Sequence, residues 1–131
     1  MGYRKGANAE RELMRLLWSK GAAVIRSAGS GNSYSPDVVA IINGRAVAFE
    51  CKAWSKDILF VRHEQYEKMV EWSERANAPV FIAWKYPREG WFFVPLAYLE
   101  PKEKHYGIRL EDVKRLTTSL DVILGRQRVL F

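Results

Sequence analysis

Asp37, Glu50 and Lys52 are the residues whose types and spacing point to chemistry. Asn43-Gly44 separates two runs of apolar and alternating residues, which predicts a β-hairpin closed by a type I′ turn. In such a two-residue hairpin Ile42 faces Arg45, so the numbers of facing partners sum to 87 and Asp37 faces Glu50. Lys52, two residues beyond Glu50, shares its face of the strand. Carboxylates opposed across a sheet repel unless something positive sits between them. A hard divalent cation with oxygen ligands is one remedy, and an ammonium beside it can hold or polarise a water. That is the outline of a metal-dependent hydrolytic site. A solvated Asp–Lys–Glu surface cluster is the plain alternative, and the hairpin alone does not choose between them.

The elements before the hairpin must position this group. Leu13, Leu16 and Leu17, with Met14 beside them, make a helical stripe within a helix predicted from about Lys5 to Lys20, stopped by Gly21. Glu10 continues that inner stripe by one turn, so its carboxylate either snorkels to solvent or reaches into a site. Glu12 and Arg15 read as solvated-face residues. Ala22 to Ala28 reads as a strand with Arg26 near its end. The polar loop Gly29-Ser30-Gly31-Asn32-Ser33-Tyr34-Ser35-Pro36 then leads directly into Asp37. Loops beside a site often carry function, although a mere connector has the same composition. The hairpin strands, about Asp37 to Asn43 and Arg45 to Ala53, are apolar enough to predict burial on both faces. Cys51 points away from Glu50 and Lys52, as a core residue does, while its backbone carbonyl lies between them within reach of a metal.

Beyond a polar stretch holding Lys56 and Asp57, Tyr66, Met69, Val70 and Ser73 predict a helix from about His63 to Ala76, with Trp72 to one side. Part of this helix, with Tyr66, Met69 and Trp72, reads as a candidate dimer surface or equally as internal packing. Strands are expected at Val80–Lys85 and Trp91–Val94, around the turn Pro87-Arg88-Glu89-Gly90. Pro95 to Tyr106 reads as irregular. Leu110–Leu116 and Ser119–Leu124 read as helical turns, the second stopped by Gly125. The segment Gln127-Arg128-Val129-Leu130-Phe131 reads as a last strand or a tail. It resembles the peptides that dock on sliding clamps, but it lacks a second terminal aromatic.

At 131 residues the chain suits a single domain, and its 48% apolar content with five tryptophans argues against disorder. No apolar run reaches the ~18 residues of a membrane span, and the N-terminus lacks the apolar core of a secretory signal. The lone Cys51 excludes an internal disulfide and fits an intracellular, cytoplasmic protein. Lys and Arg outnumber Asp and Glu by 21 to 15, giving a net charge of +6 and a pI near 9.6. A basic domain suits a polyanion such as DNA or RNA. An acidic metal site inside a basic protein points to phosphodiester chemistry. No glycine-rich phosphate loop, zinc-ligand spacing or nucleophile elbow is present.

Pro36-Asp37, twelve residues, then Glu50-Cys51-Lys52 fits the PD-(D/E)xK nuclease signature. More specifically, the sequence resembles the archaeal Holliday junction resolvases. The resemblance is carried by Arg4-Lys5-Gly6-Ala7, Ala9-Glu10-Arg11-Glu12-Leu13, Val24-Ile25-Arg26-Ser27-Ala28-Gly29-Ser30, Pro36-Asp37-Val38-Val39-Ala40 and Glu50-Cys51-Lys52. It covers about the first 95 residues well and the last third loosely. It implies an α/β, restriction-endonuclease-like fold, with a central mixed sheet of about five strands flanked by helices. It implies that Glu10, Asp37 and Glu50 form the acidic metal site, that Lys52 is catalytic, and that Ser30 acts from a mobile loop. Arg4, Lys5, Arg11 and Arg26 match basic residues that contact DNA. The implied cofactor is Mg²⁺, with Mn²⁺ as a substitute. The implied activity is paired nicking of a four-way DNA junction by a nucleoid-associated homodimer. The loop Gly31–Ser35 departs in length from many relatives. Rival readings are a nuclease of the same fold acting on duplex, damaged or single-stranded DNA, a noncatalytic junction binder, and a structural dimerisation module.

Overall fold

The computed structural model describes residues 2–27, 34–116 and 118–125, the first four of these as backbone alone. Helix α1 (Gly2–Ser19) opens the chain, beginning three residues earlier than the sequence pattern predicts. Ala9, Leu13 and Leu17 bury its inner stripe. Gly21, at φ 96°, turns the chain out of the helix. Strand β1 (Ala23–Arg26) is shorter than expected because only Ala23↔Ile41 to Arg26↔Val38 pair with β2 (Val38–Ile42). Strand β3 (Arg45–Ala53) completes the predicted hairpin. Asn43 and Gly44 both have positive φ, 53° and 76°, as a type I′ turn requires. The pairs Ile42↔Arg45 and Val38↔Phe49 confirm the predicted register.

The stretch read as a polar connection contains a strand, β4 (Ile58–Arg62). Its Leu59 and Val61 are buried, whereas Ile58 and Phe60 face outward. Apolar residues on both faces hid the two-residue period there. Helix α2 (His63–Ala76) has the predicted bounds. Met69 is fully buried, and the partly buried Tyr66 and Trp72 pack against the same core, so this stripe serves internal packing. Strands β5 (Val80–Tyr86) and β6 (Gly90–Pro95) each extend slightly past the predicted limits. A 3₁₀ turn (Leu96–Tyr98) leads to β7 (Glu100–Pro101) and β8 (His105–Arg109), in a region read as irregular. Helices α3 (Leu110–Leu116) and α4 (Leu120–Ile123) follow. The C-terminal segment 126–131, with its sliding-clamp resemblance, lies outside the described residues.

The strands form a mixed five-stranded sheet in the order β1-β2-β3-β5-β6 and a small antiparallel sheet, β4-β8-β7. The β3–β5 pair is parallel, with β4 and α2 supplying the crossover between them. Leu13, Leu17, Val38, Phe49, Leu120 and Leu124 join in one core on the α1 side. Ala48, Ile82 and Trp84 pack with Leu59, Met69, Ile108 and Val113 on the other. The central strands are therefore covered on both faces, which is what lets a carboxylate on β3 be buried. No helix of the described residues is long and apolar enough to cross a membrane.

Candidate active site

The hairpin brings Asp37 and Glu50 together where the β2–β3 ladder ends. Val38↔Phe49 is the last pair, so Asp37 stands one step beyond the regular strand. Its Oδ2 accepts a hydrogen bond from the Cys51 backbone N–H at 2.8 Å. Glu50 is only 8% exposed, the one buried charged residue recorded among the described residues. The Tyr34 hydroxyl donates to its Oε1 at 2.8 Å, and Gln65 Nε2 donates to its Oε2 at 3.0 Å. Lys52 Nζ in turn donates to Gln65 Oε1 at 3.5 Å, a long contact.

These contacts leave negative charge incompletely compensated. Burial raises the pKa of Glu50 to about 7, and the charge of Asp37 adds to the rise. Hydrogen bonds from Tyr34 and Gln65, and the ammonium of Lys52, oppose it without reversing it. Asp37 is likewise raised by burial first, then by the charge of Glu10, against the Cys51 N–H, Lys52 and Arg26. A half-buried and a buried carboxylate pushed upward together are a donor set that a cation would relieve. Asp37 and Glu50 therefore fit a hard metal such as Mg²⁺. Among the described residues no group of three His, Cys, Asp or Glu side chains is gathered closely enough to hold a metal by itself. Two carboxylates with further oxygens from water or substrate phosphate is the usual Mg²⁺ arrangement.

Glu10 reaches this end of the sheet from α1. Its Oε1 accepts from Arg26 Nε at 2.8 Å, so the pair ties α1 to the end of β1. Cys51 packs in the α1-side core, and burial with the surrounding acids pushes its thiol up, so it stays protonated. Arg11 is exposed on α1 and bonds Asn8 at 3.5 Å. Ser30 lies outside the described residues, as do the side chains of Arg4 and Lys5. The base of the loop that holds Ser30 is fastened beside Asp37: Ser27 N donates to Asp37 O at 2.9 Å, and Ser27 Oγ meets Ser35 Oγ at 2.6 Å.

Three features escaped the sequence reading. Tyr34 was visible only as part of a loop, yet it plugs against Glu50. Gln65 has no spacing signal, because its role depends on where α2 crosses the sheet. Glu12, expected to be solvated, instead accepts from Lys85 Nζ and from Trp91 Nε1. A groove of about 320 Å³ opens beside Glu50, lined by Tyr34, Lys52, Arg62, Glu64, Gln65 and Lys68.

The sequence profile described as archaeal Holliday junction resolvase (Hjc) matches residues 1–127. The chain belongs to this family. It is 38% identical over 128 residues to the crossover junction endodeoxyribonuclease Hjc of Methanocaldococcus jannaschii, spanning 98% of this chain and 92% of that one. It is 39% identical over 125 residues to the Archaeoglobus fulgidus protein of the same name, spanning 93% and 90%. The solved structure of A. fulgidus Hjc, a Holliday junction resolvase, superposes with a TM-score of 0.83 at 33% identity, covering 92% of this chain and 96% of that one. The bacterial homing endonuclease I-Ssp6803I shares the fold, with a TM-score of 0.58 at 15% identity over 93% and 90% of the two chains. The resolvase family thus supplies the restriction-endonuclease-like architecture expected from the sequence.

Proposed function

We propose that this protein resolves four-way DNA junctions by metal-dependent cleavage of phosphodiester bonds, nicking two opposing strands. The observation that carries the reading is the pairing of half-buried Asp37 with buried Glu50, both raised in pKa, with Lys52 two residues beyond Glu50 on the same strand. Membership of the resolvase family names the junction as substrate.

Asp37 and Glu50 are the residues that would hold Mg²⁺, or Mn²⁺ in its place, while the expected third acid, Glu10, is paired with Arg26 beside them. When bound, the metal would lower the pKa of a water and neutralise charge developing on the phosphate. The protein's own groups do the rest. Asp37 is fixed by the Cys51 N–H, and Glu50 by Tyr34 and Gln65. Lys52 lies beside them to orient the attacking water or steady the extra negative charge of the transition state. Arg62 and Lys52 give the adjoining groove positive charge for a phosphate strand, while Lys68 is paired with Glu64 on the same wall at 3.1 Å. Arg4, Lys5, Arg11 and Arg26 remain candidates for contacts farther along the DNA, and Ser30 for one from the loop.

The reading includes a homodimer, which places two such sites about a two-fold axis. Its support is an apolar sheet face that α2 does not cover. Ile25 on β1 and Ile41 on β2 lie on it, 57% and 38% exposed, with Ala23 beside them. Light scattering on wild type and Ile25→Asp checks this, with the variant expected to be monomeric. The activity is tested by offering a synthetic four-way junction and a matched linear duplex with Mg²⁺. Paired nicks in opposing junction strands are expected, with the duplex left intact; equal cutting of both substrates would replace resolution by general nuclease activity.

A further inference from the structure

Gln65 touches two residues of the proposed site at once. Its Nε2 donates to Glu50 Oε2 at 3.0 Å, and its Oε1 faces the Lys52 ammonium in a longer contact of 3.5 Å. The opposite amide orientation would set an oxygen against the carboxylate and an NH₂ against the ammonium, so both neighbours select the same one. Tyr34 holds the other oxygen of Glu50. Each carboxylate oxygen therefore receives one neutral donor and keeps a lone pair for another ligand. Gln65 also sits on a rigid element. It lies in the first turn of α2, one turn before the fully buried Met69, and its neighbour Tyr66 stacks on Tyr106 with ring centroids 3.7 Å apart.

We propose that Gln65 is a positioning residue: it fixes the rotation of the Glu50 carboxylate and sets the Lys52 ammonium at a defined place relative to it. The inference rests on the nuclease reading. Hydrogen-bond partners of metal-binding groups orient them, and losing one typically costs about 10–100-fold in metal affinity or activity. Tyr34 acts on Glu50 alone, whereas Gln65 couples the carboxylate on β3 to the lysine two residues later. Its position in the groove wall further places it beside any strand that lies there.

The test compares wild type with Gln65→Met, which keeps the shape and removes both bonds, and Gln65→Glu, which keeps only the acceptor for Lys52. Four quantities are read: kcat and KM for junction cleavage, junction Kd in Ca²⁺, Mn²⁺ affinity by calorimetry without DNA, and melting temperature. For Gln65→Met, kcat should fall about 10–100-fold and Mn²⁺ affinity should weaken, while KM, junction Kd and melting temperature stay near wild type. Gln65→Glu should not recover kcat, since it trades the donor to Glu50 for a like charge. The assignment is overturned if Gln65→Met cuts at the wild-type rate, if its loss of kcat follows a loss of junction binding or melting temperature, or if Gln65→Glu restores cutting. A wild-type protein that binds Mn²⁺ but cuts no junction defeats the nuclease reading, and the calorimetry then judges Gln65 on its own. Wild type that neither cuts nor binds Mn²⁺ overturns both.

Discussion

Two glutamates on opposite sides of the central sheet show what separates a compensated charge from an uncompensated one. Glu12, on α1, is half-exposed and receives the Lys85 ammonium together with the Trp91 indole N–H. The hydrogen bond from Lys85 is the largest of the effects that hold its carboxyl below the usual range. Glu50, on β3, is buried and receives only neutral donors, from Tyr34 and Gln65, with a second acid facing it. Its carboxyl is raised to about 7. Hydrogen bonding is satisfied at both glutamates, but charge is balanced only at Glu12. The fold tolerates the imbalance at Glu50 because Tyr34, Gln65 and two packed cores hold the carboxylate in place. A cation is the ligand that would remove it.

Glu50→Gln and Glu12→Gln should therefore separate sharply in activity. The first should cut cleavage by about three orders of magnitude, a loss of the several kcal/mol that a held cation supplies, with junction binding kept or improved. The second should leave cleavage near wild type. Equal rates for Glu50→Gln and wild type with Mg²⁺ would remove Glu50 from the site.

Stability without metal should separate them in the opposite direction. Glu50 has a folded-state pKa above its ordinary value, so the folded chain holds that proton more tightly than the unfolded one. Stability from this group falls as pH rises from about 4.5 to about 7. Glu50→Gln should accordingly raise the melting temperature at pH 8 in a chelator. Glu12 has a lowered pKa, so its contribution is present above the ordinary value and is lost as pH falls through the folded one. Glu12→Gln should cost less than about 1 kcal/mol at pH 8, as a partly exposed ion pair does. A lower melting temperature for Glu50→Gln at pH 8 would show that Glu50 is already compensated.

Arg26 gives the smallest effect and sharpens the same contrast, since it pairs with Glu10 at the edge of the site. Arg26→Ala should weaken junction binding and reduce the salt slope by about one. An unchanged slope would move Arg26 off the DNA surface.

The legible part of this molecule was its local chemistry. Asn43-Gly44 fixed the hairpin register, because a type I′ turn leaves no freedom in which residues face each other. The stripe of α1 and the bounds of α2 followed from helical periodicity. Strands β4 and β8 were hidden for a different reason. Among the described residues β4 pairs with β8 and β8 with the two-residue β7, apart from the main sheet, and the outward positions of β4 include Phe60 and Ile58. At the site, Asp37, Glu50 and Lys52 were readable because one hairpin carries all three. Gln65, Tyr34 and the Glu12–Lys85 bond were not, because each joins elements whose meeting is decided by tertiary packing.

The central claim is that Asp37 and Glu50 share a divalent cation, and anomalous diffraction from crystals containing Mn²⁺ tests it most directly. A peak between the two carboxylates in wild type, lost in Asp37→Asn, is the predicted result. Empty density there, at an Mn²⁺ concentration that supports cleavage in solution, would contradict it.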